Sequence, residues 1–230
     1  MMNIAGLIKT SFVDYPGKIA SVVFTQGCNL RCGYCHNHSL IEKNDASTGI
    51  QPEEVFKFLA KRNEMIDAVV ISGGEPTLQK NLHVFIEELK ARSLLVKLDT
   101  NGTNPDILRT LLEDELLDFI AMDIKAPFSK YAGITGTSRL ELVSIRESVE
   151  VIKNSGLAYE FRTTLCPELE AADLSSIIID FGVASNYVLQ RCRSTDFNKT
   201  TRNKQDLQSL LQWSKENWSF LAFRGFEGLN

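Results

Sequence analysis

Residues 68–100 read AVVISGGEPTLQKNLHVFIEELKARSLLVKLDT. The stretch opens on a short, continuously apolar run, Ala68–Ser72. It turns through Gly73-Gly74-Glu75-Pro76 and then places Leu82, Phe85, Ile86 and Leu89 on one stripe of a helix. It closes on a second apolar run, Leu94–Asp99. Short runs without alternation suit strands covered on both faces. Strand, helix and strand in that order predict two parallel strands joined by a right-handed crossover.

The same alternation continues in both directions. Further strands are expected at Ala20–Thr25, Phe119–Ile124, Ala158–Leu165 and Tyr187–Arg191. Helical patterns span Pro52–Met65, Gln79–Arg92, Asn104–Glu115, Arg139–Asn154, Asp173–Ala184 and Lys204–Glu216. Pro52 stands at a first-turn position with two glutamates behind it, and Ser155-Gly156 supplies a stop. Six strand–helix units define an α/β chain, and the pattern alone allows an open doubly wound sheet or a partial barrel. No Gly, Pro or Ser-rich linker divides it. A single domain over residues 1–230 is expected, with a core of about 18–191 and a C-terminal helix and tail of about 204–230.

Composition narrows the class. The 230 residues carry a net charge of −4, and 43% are hydrophobic, which excludes disordered and collagen-like chains. No basic stripe is available for nucleic acid. No apolar run reaches the roughly 18 residues of a membrane span. The start, MMNIAGLIKTSFVDYPGK, lacks a basic region followed by an apolar stretch, so a secretory leader is not expected. The five cysteines are odd in number, which argues for metal or redox chemistry over a disulfide framework.

In either architecture the working edge is the C-terminal ends of the strands. Polar motifs fall there: Gln26-Gly27-Cys28, Gly73-Gly74-Glu75-Pro76, Asp99-Thr100-Asn101-Gly102, Asp123-Ile124-Lys125, Arg162 to Cys166 and Gln190 to Arg193. Cys28, Cys32 and Cys35 form a C-x₃-C-x₂-C loop after the first of these strands. Soft thiolates suit zinc or an iron–sulfur cluster. Zinc would need a fourth ligand, and His36 and His38 are near. A cluster held by three cysteines leaves one iron open to an external ligand. Cys166 and Cys192 stand apart. They read as small buried side chains, too few for a second cluster.

Together these motifs resemble the radical S-adenosylmethionine (SAM) superfamily, whose hallmarks are C-x₃-C-x-aromatic-C, with Tyr34 at the aromatic position, and the Gly-Gly-Glu-Pro after the next strand. The strings FVDYPGKIASVVFTQGCNLRCGYCHN, GGEPTLQ, LDTNGT and MDIKAP resemble the glycyl-radical-enzyme activating proteins. Their nearest type is the activator of anaerobic ribonucleoside-triphosphate reductase. The resemblance covers about residues 4–191. It implies a partial (β/α)₆ TIM-like barrel, a 4Fe–4S cluster on Cys28, Cys32 and Cys35, and SAM on the open iron. It also implies reductive cleavage of SAM and abstraction of a glycine hydrogen from a partner enzyme, giving a glycyl radical. A flavodoxin or ferredoxin would supply the electron, in an anoxic cytoplasm.

The resemblance also assigns residues. Gly73 and Gly74 would face the methionine part of SAM, with Glu75 bracing their loop. Asp99 would meet the SAM ammonium. Asp123 and Lys125 would take the ribose hydroxyls and the carboxylate. They stand two apart on a strand and so share a face. Tyr34 would lie against adenine, and Arg162 would approach SAM or the partner's peptide. Asp14 would contact the partner's peptide, and His36 and Asn37 would cover the cluster or contact that peptide. The sixth strand end, Gln190–Arg193, departs from the proline-containing segment expected there. Three rivals remain: a small-molecule radical SAM enzyme of the 7-carboxy-7-deazaguanine synthase kind, a non-catalytic metal-binding module, and a degenerate homologue that binds SAM but activates nothing. The polar stretch Ser194–Asn203 reads as either a lid or an exposed loop, with the loop favoured.

Overall fold

The structure, a computed structural model, describes residues 2–42, 49–62, 64–136, 142–183, 185–192 and 204–226, the side chains of 204–207 excepted. The Ser194–Asn203 loop lies outside the described residues. In chain order the elements are β1 (Ile4–Ser11), β2 (Ala20–Thr25), α1 (Pro52–Lys61), β3 (Ala68–Gly73), α2 (Leu82–Lys90), β4 (Leu95–Thr100), α3 (Pro105–Glu113), β5 (Phe119–Asp123), α4 (Phe128–Thr135), α5 (Leu142–Lys153), β6 (Ala158–Leu165), α6 (Ala171–Phe181), β7 (Tyr187–Arg191), α7 (Lys204–Asn217) and β8 (Leu221–Arg224). β1, β2, β3 and β4 are neighbours in that order, as are β6, β7 and β8.

The chain divides into two compact units. One comprises Met1–Asn29, Asn37–Ala121 and Val143–Tyr159, and the other Leu30–His36, Met122–Leu142 and Glu160–Asn230. In the first unit β2, β3 and β4 are parallel neighbours, with Val22 against Val70 and Val69 against Val96. Their side chains are almost wholly buried, and Val55, Leu59, Phe85, Ile86, Leu89, Leu108 and Leu111 of α1, α2 and α3 are buried with them. Each fully buried aliphatic side chain contributes about 1.5–3 kcal/mol relative to exposure, so this layer dominates the unit's stability. Asp118 ties the unit together locally: its carboxylate accepts from Lys90 Nζ at 2.7 Å and from the Val96 amide at 2.7 Å.

In the second unit β6, β7 and β8 are parallel, with Phe161 against Tyr187 and Tyr187 against Leu221. Glu160 of β6 holds Arg224 of β8 by two bonds, 2.9 and 3.1 Å. A capping box, Glu170 with Asp173, opens α6. Gly182 closes it in the left-handed region at φ 62°.

The six expected strands are all present, and the α/β class holds. Two further strands and one helix were not expected. β1 is antiparallel to β2 and half-exposed, and its IAGLIKTS sequence lacks the continuous apolar run of a buried strand. β8 has four residues, and its outer two and Phe223 are only partly buried. α4, FSKYAGIT, is short and carries Gly133, so its helical stripe is faint.

Candidate active site

In the first unit the chain leaves β2 through Gln26 and Gly27 and reaches Cys28. The backbone there is held on two sides: Gly27 N–H donates to Leu40 O at 2.8 Å and Cys28 N–H to Ile41 O at 3.0 Å. The Gly73-Gly74-Glu75-Pro76 turn packs onto this same loop. Glu75 N–H donates to Gly27 O at 2.8 Å, and Gly74 N–H to Thr25 O at 2.9 Å. A Cβ on Gly74 would lie 2.1 Å from Gly27 O, and one on Gly73 2.4 Å from Thr25 N. Gly73 also has φ +111°. The two glycines are therefore required for backbone to meet backbone just before the first cysteine.

Glu75 is fully buried, and four hydrogens converge on it. Oε1 accepts from the Thr77 amide (3.1 Å), Thr77 Oγ1 (2.6 Å) and Thr100 Oγ1 (2.8 Å), and Oε2 accepts from the Asn101 amide (2.7 Å). Burial raises the pKa of its carboxyl above the ordinary value, against the opposing pull of these bonds. The carboxylate links the turn after β3 to the turn after β4.

Asp99, near the end of β4, accepts from Ser72 Oγ at 3.0 Å and pairs with Lys97 Nζ at 3.1 Å. Lys97 is 3% exposed, and its ammonium also donates to Asp14 O at 2.7 Å. Asp14 is further held by Ser11 Oγ at 2.5 Å. Lys97 thus joins two expected site residues, Asp99 and Asp14. Sequence reading missed it, although its signal was present: a lysine two before an aspartate on one strand shares its face.

In the second unit the segment Leu30–His36 packs on the end of α4. Arg31 N–H donates to Thr135 O at 2.6 Å, and a Cβ on Gly136 would lie 2.4 Å from Arg31 O. Cys35 N–H donates to Cys32 O at 3.0 Å. Cys32 and Tyr34 are buried, Cys35 is half-buried and His36 is exposed. Asn37, half-buried and in the first unit, precedes the short 3₁₀ turn His38–Leu40. Asp123 receives Lys125 Nζ and Arg162 Nε, each at 2.7 Å. Burial alone would raise its carboxyl pKa, but the guanidinium and the ammonium hold it well below the usual carboxylate range. Burial likewise opposes the charge on Lys125, and Asp123 more than restores it. The β5–β6 register that brings Arg162 to Asp123 has no sequence signal.

None of the five cysteines is in a disulfide. Among the described residues, no group of three or more His, Cys, Asp and Glu side chains has the geometry of a metal site. The donor chemistry does fit an iron–sulfur cluster with SAM. Three thiols fall within eight residues, and Asn101 Nδ2 stands 3.9 Å from Cys28 Sγ. The buried Tyr34 hydroxyl has no hydrogen-bond partner among the described residues. A buried polar atom of that kind is costly unless something else meets it.

Residues 22–181 match the radical SAM superfamily. A Methanocaldococcus jannaschii protein, provisionally named a glycyl-radical enzyme activating enzyme, is 34% identical over 209 residues, covering 84% of this chain and 81% of its own. The pyruvate formate-lyase-activating enzyme of Clostridium pasteurianum is 31% identical over 175 residues, 74% of this chain and 71% of that one. The crystal structure of Streptococcus suis SuiB bound to precursor peptide SuiA superposes with a TM-score of 0.68 at 14% identity. It covers 89% of this chain, which spans about half of SuiB (48%). The chain belongs to the radical SAM superfamily and, within it, to the glycyl-radical-enzyme activating enzymes. The cofactors of that superfamily are a 4Fe–4S cluster and SAM. Among the described residues no helix is long and apolar enough to cross a membrane.

Proposed function

We propose that this chain activates anaerobic ribonucleoside-triphosphate reductase by generating its glycyl radical, with a flavodoxin or ferredoxin as electron donor in an anoxic cytoplasm. Bound together, a 4Fe–4S cluster and SAM supply one-electron cleavage of a sulfonium S–C bond and an adenosyl carbon able to take a hydrogen atom. Cys28, Cys32 and Cys35 hold the cluster. Gly73 and Gly74 set the backbone beside Cys28, and Glu75 fixes their turn. Asp99 receives the SAM ammonium, a charge-assisted bond. Lys125 uses one of its three hydrogens on Asp123, leaving two for the SAM carboxylate. Arg162 orients Asp123 toward the ribose hydroxyls. Tyr34 lies against adenine. Asp14, His36 and Asn37 face the partner's glycine-bearing peptide.

The observation that carries this reading is the fixed set of contacts around the strand ends, in which Glu75, Asn101 and Lys97 connect the cysteine loop, Asp99 and the Asp14 segment. The FVDYPGK and MDIKAP strings favour an activase over a small-molecule radical SAM enzyme, and the choice of reductase among glycyl radical enzymes rests on the overall resemblance to that type of activator. Electron paramagnetic resonance tests it. Reduced protein with SAM is mixed in turn with anaerobic reductase and with pyruvate formate-lyase. The expected result is a glycyl doublet on the reductase and none on the lyase. A doublet on the lyase alone would contradict the assignment.

A further inference from the structure

We propose that Asn101 is a positioning residue that donates an N–H···S hydrogen bond to the Cys28 thiolate and raises the reduction potential of the cluster held there. The inference rests on the reading of Cys28 as a cluster ligand. The orientation of the Asn101 amide is dictated by its neighbours. Its Oδ1 accepts from the Thr103 backbone N–H at 3.0 Å and from Thr103 Oγ1 at 2.7 Å. A backbone N–H can only donate, so the oxygen must be the atom on that side, and Nδ2 must face the other way. There it meets Asn29 Oδ1 at 2.9 Å and Cys28 Sγ at 3.9 Å. Asn29 is set in turn by its own Nδ2, which donates to Thr103 Oγ1 at 2.9 Å.

The backbone under the amide is also fixed. Asn101 N–H donates to the buried Glu75 carboxylate at 2.7 Å, and Asn101 itself is 5% exposed. An asparagine needing only to shape the turn would be satisfied by the Thr103 bonds. Here the remaining amide hydrogens point at one sulfur and at the side chain next to it. Reduction adds one electron, taken from an external donor, and increases the negative charge on the cluster and its thiolates. A hydrogen-bond donor favours that more negative state, so the potential rises. A less negative potential brings the one-electron step closer to what a small electron carrier can supply.

The test uses the full-length protein reconstituted with iron and sulfide, with Asn101→Ala, Asn101→Asp and Thr103→Val. Iron content is measured, and the midpoint potential is followed by electron paramagnetic resonance. All variants should hold as much iron as the wild type. The potential should fall in Asn101→Ala and fall further in Asn101→Asp, whose second oxygen repels the thiolate. Thr103→Val, which frees one side of the amide, should give a smaller fall in the same direction. A purely structural role predicts instead that Asn101→Asp, which keeps both bonds from Thr103, stays nearest the wild type. That order, or unchanged potentials, would overturn the inference. Variants too poor in iron to titrate would also count against it, because they would make Asn101 a requirement for assembly. Wild-type protein that binds no iron would instead overturn the reading of Cys28 as a ligand.

Discussion

Cys32→Ala should abolish the formation of 5′-deoxyadenosine from SAM. Cys32 is 7% exposed, in the loop carried by the end of α4. A three-cysteine site has no spare ligand, because its open iron is the one that takes the external group. Changes in groups that merely support a metal ligand typically cost 10–100-fold, so loss of the ligand itself should lower the rate by more than about 100-fold. Iron bound after anaerobic reconstitution should fall in parallel. Cys166→Ala is the control. Burial, with Glu168 beside it, pushes the Cys166 thiol's pKa well up, and Cys166 stands far in sequence from the C-x₃-C-x₂-C loop. That variant should keep its iron and its activity. Retained 5′-deoxyadenosine formation by Cys32→Ala would remove it from the ligand set.

Glu75→Ala has the largest expected effect on stability. It leaves the Thr77 and Asn101 amides and two threonine hydroxyls without the acceptor they share inside the first unit. Each buried, unsatisfied donor costs about 1–3 kcal/mol, and the hydroxyls can turn to other partners, so a total of about 3–5 kcal/mol is expected. For a chain of this size that is a fall in Tm of about 10 °C. Glu75→Gln should cost less, about 1–2 kcal/mol, since one oxygen keeps three donors and only the Asn101 amide meets an N–H₂.

The two variants also separate in pH. Because burial raises the Glu75 pKa, the native chain binds its proton to higher pH than the unfolded chain does. The stability tied to that proton is fully present below the ordinary carboxylate value and declines as pH rises through the raised one. Glu75→Gln should flatten that slope. Thermal unfolding at several pH values measures both effects, and a Glu75→Ala protein as stable as wild type would show that Glu75 is not the brace.

The parts of this protein that were legible in sequence are those whose signal is local. The six inner strands declare themselves by continuous apolar runs such as AVVISG, and α2 by its stripe of Leu82, Phe85, Ile86 and Leu89. β1 was hidden because an edge strand need not be apolar on both faces, and Gly6, Lys9 and Thr10 dilute its pattern. Among candidate site residues, the cysteine loop and the Gly-Gly-Glu-Pro turn stood out by spacing. What could not be read was long-range geometry. Arg162 reaches Asp123 only because two strands stand in a particular register. Asn101 faces Cys28, 73 positions away, only because Glu75 holds its backbone. Glycines 73 and 74 were expected to make room for SAM, and the structure adds a second need, room for Gly27 and Thr25.

Deuterium transfer tests the central claim most directly. The partner reductase is prepared with its glycines deuterated at Cα and mixed anaerobically with reduced protein and SAM, and the 5′-deoxyadenosine formed is analysed by mass spectrometry. A glycine-hydrogen-abstracting activase predicts one deuterium in that product, in amounts matching the glycyl radical. 5′-Deoxyadenosine formed without deuterium, and without a radical on the partner, would contradict the account.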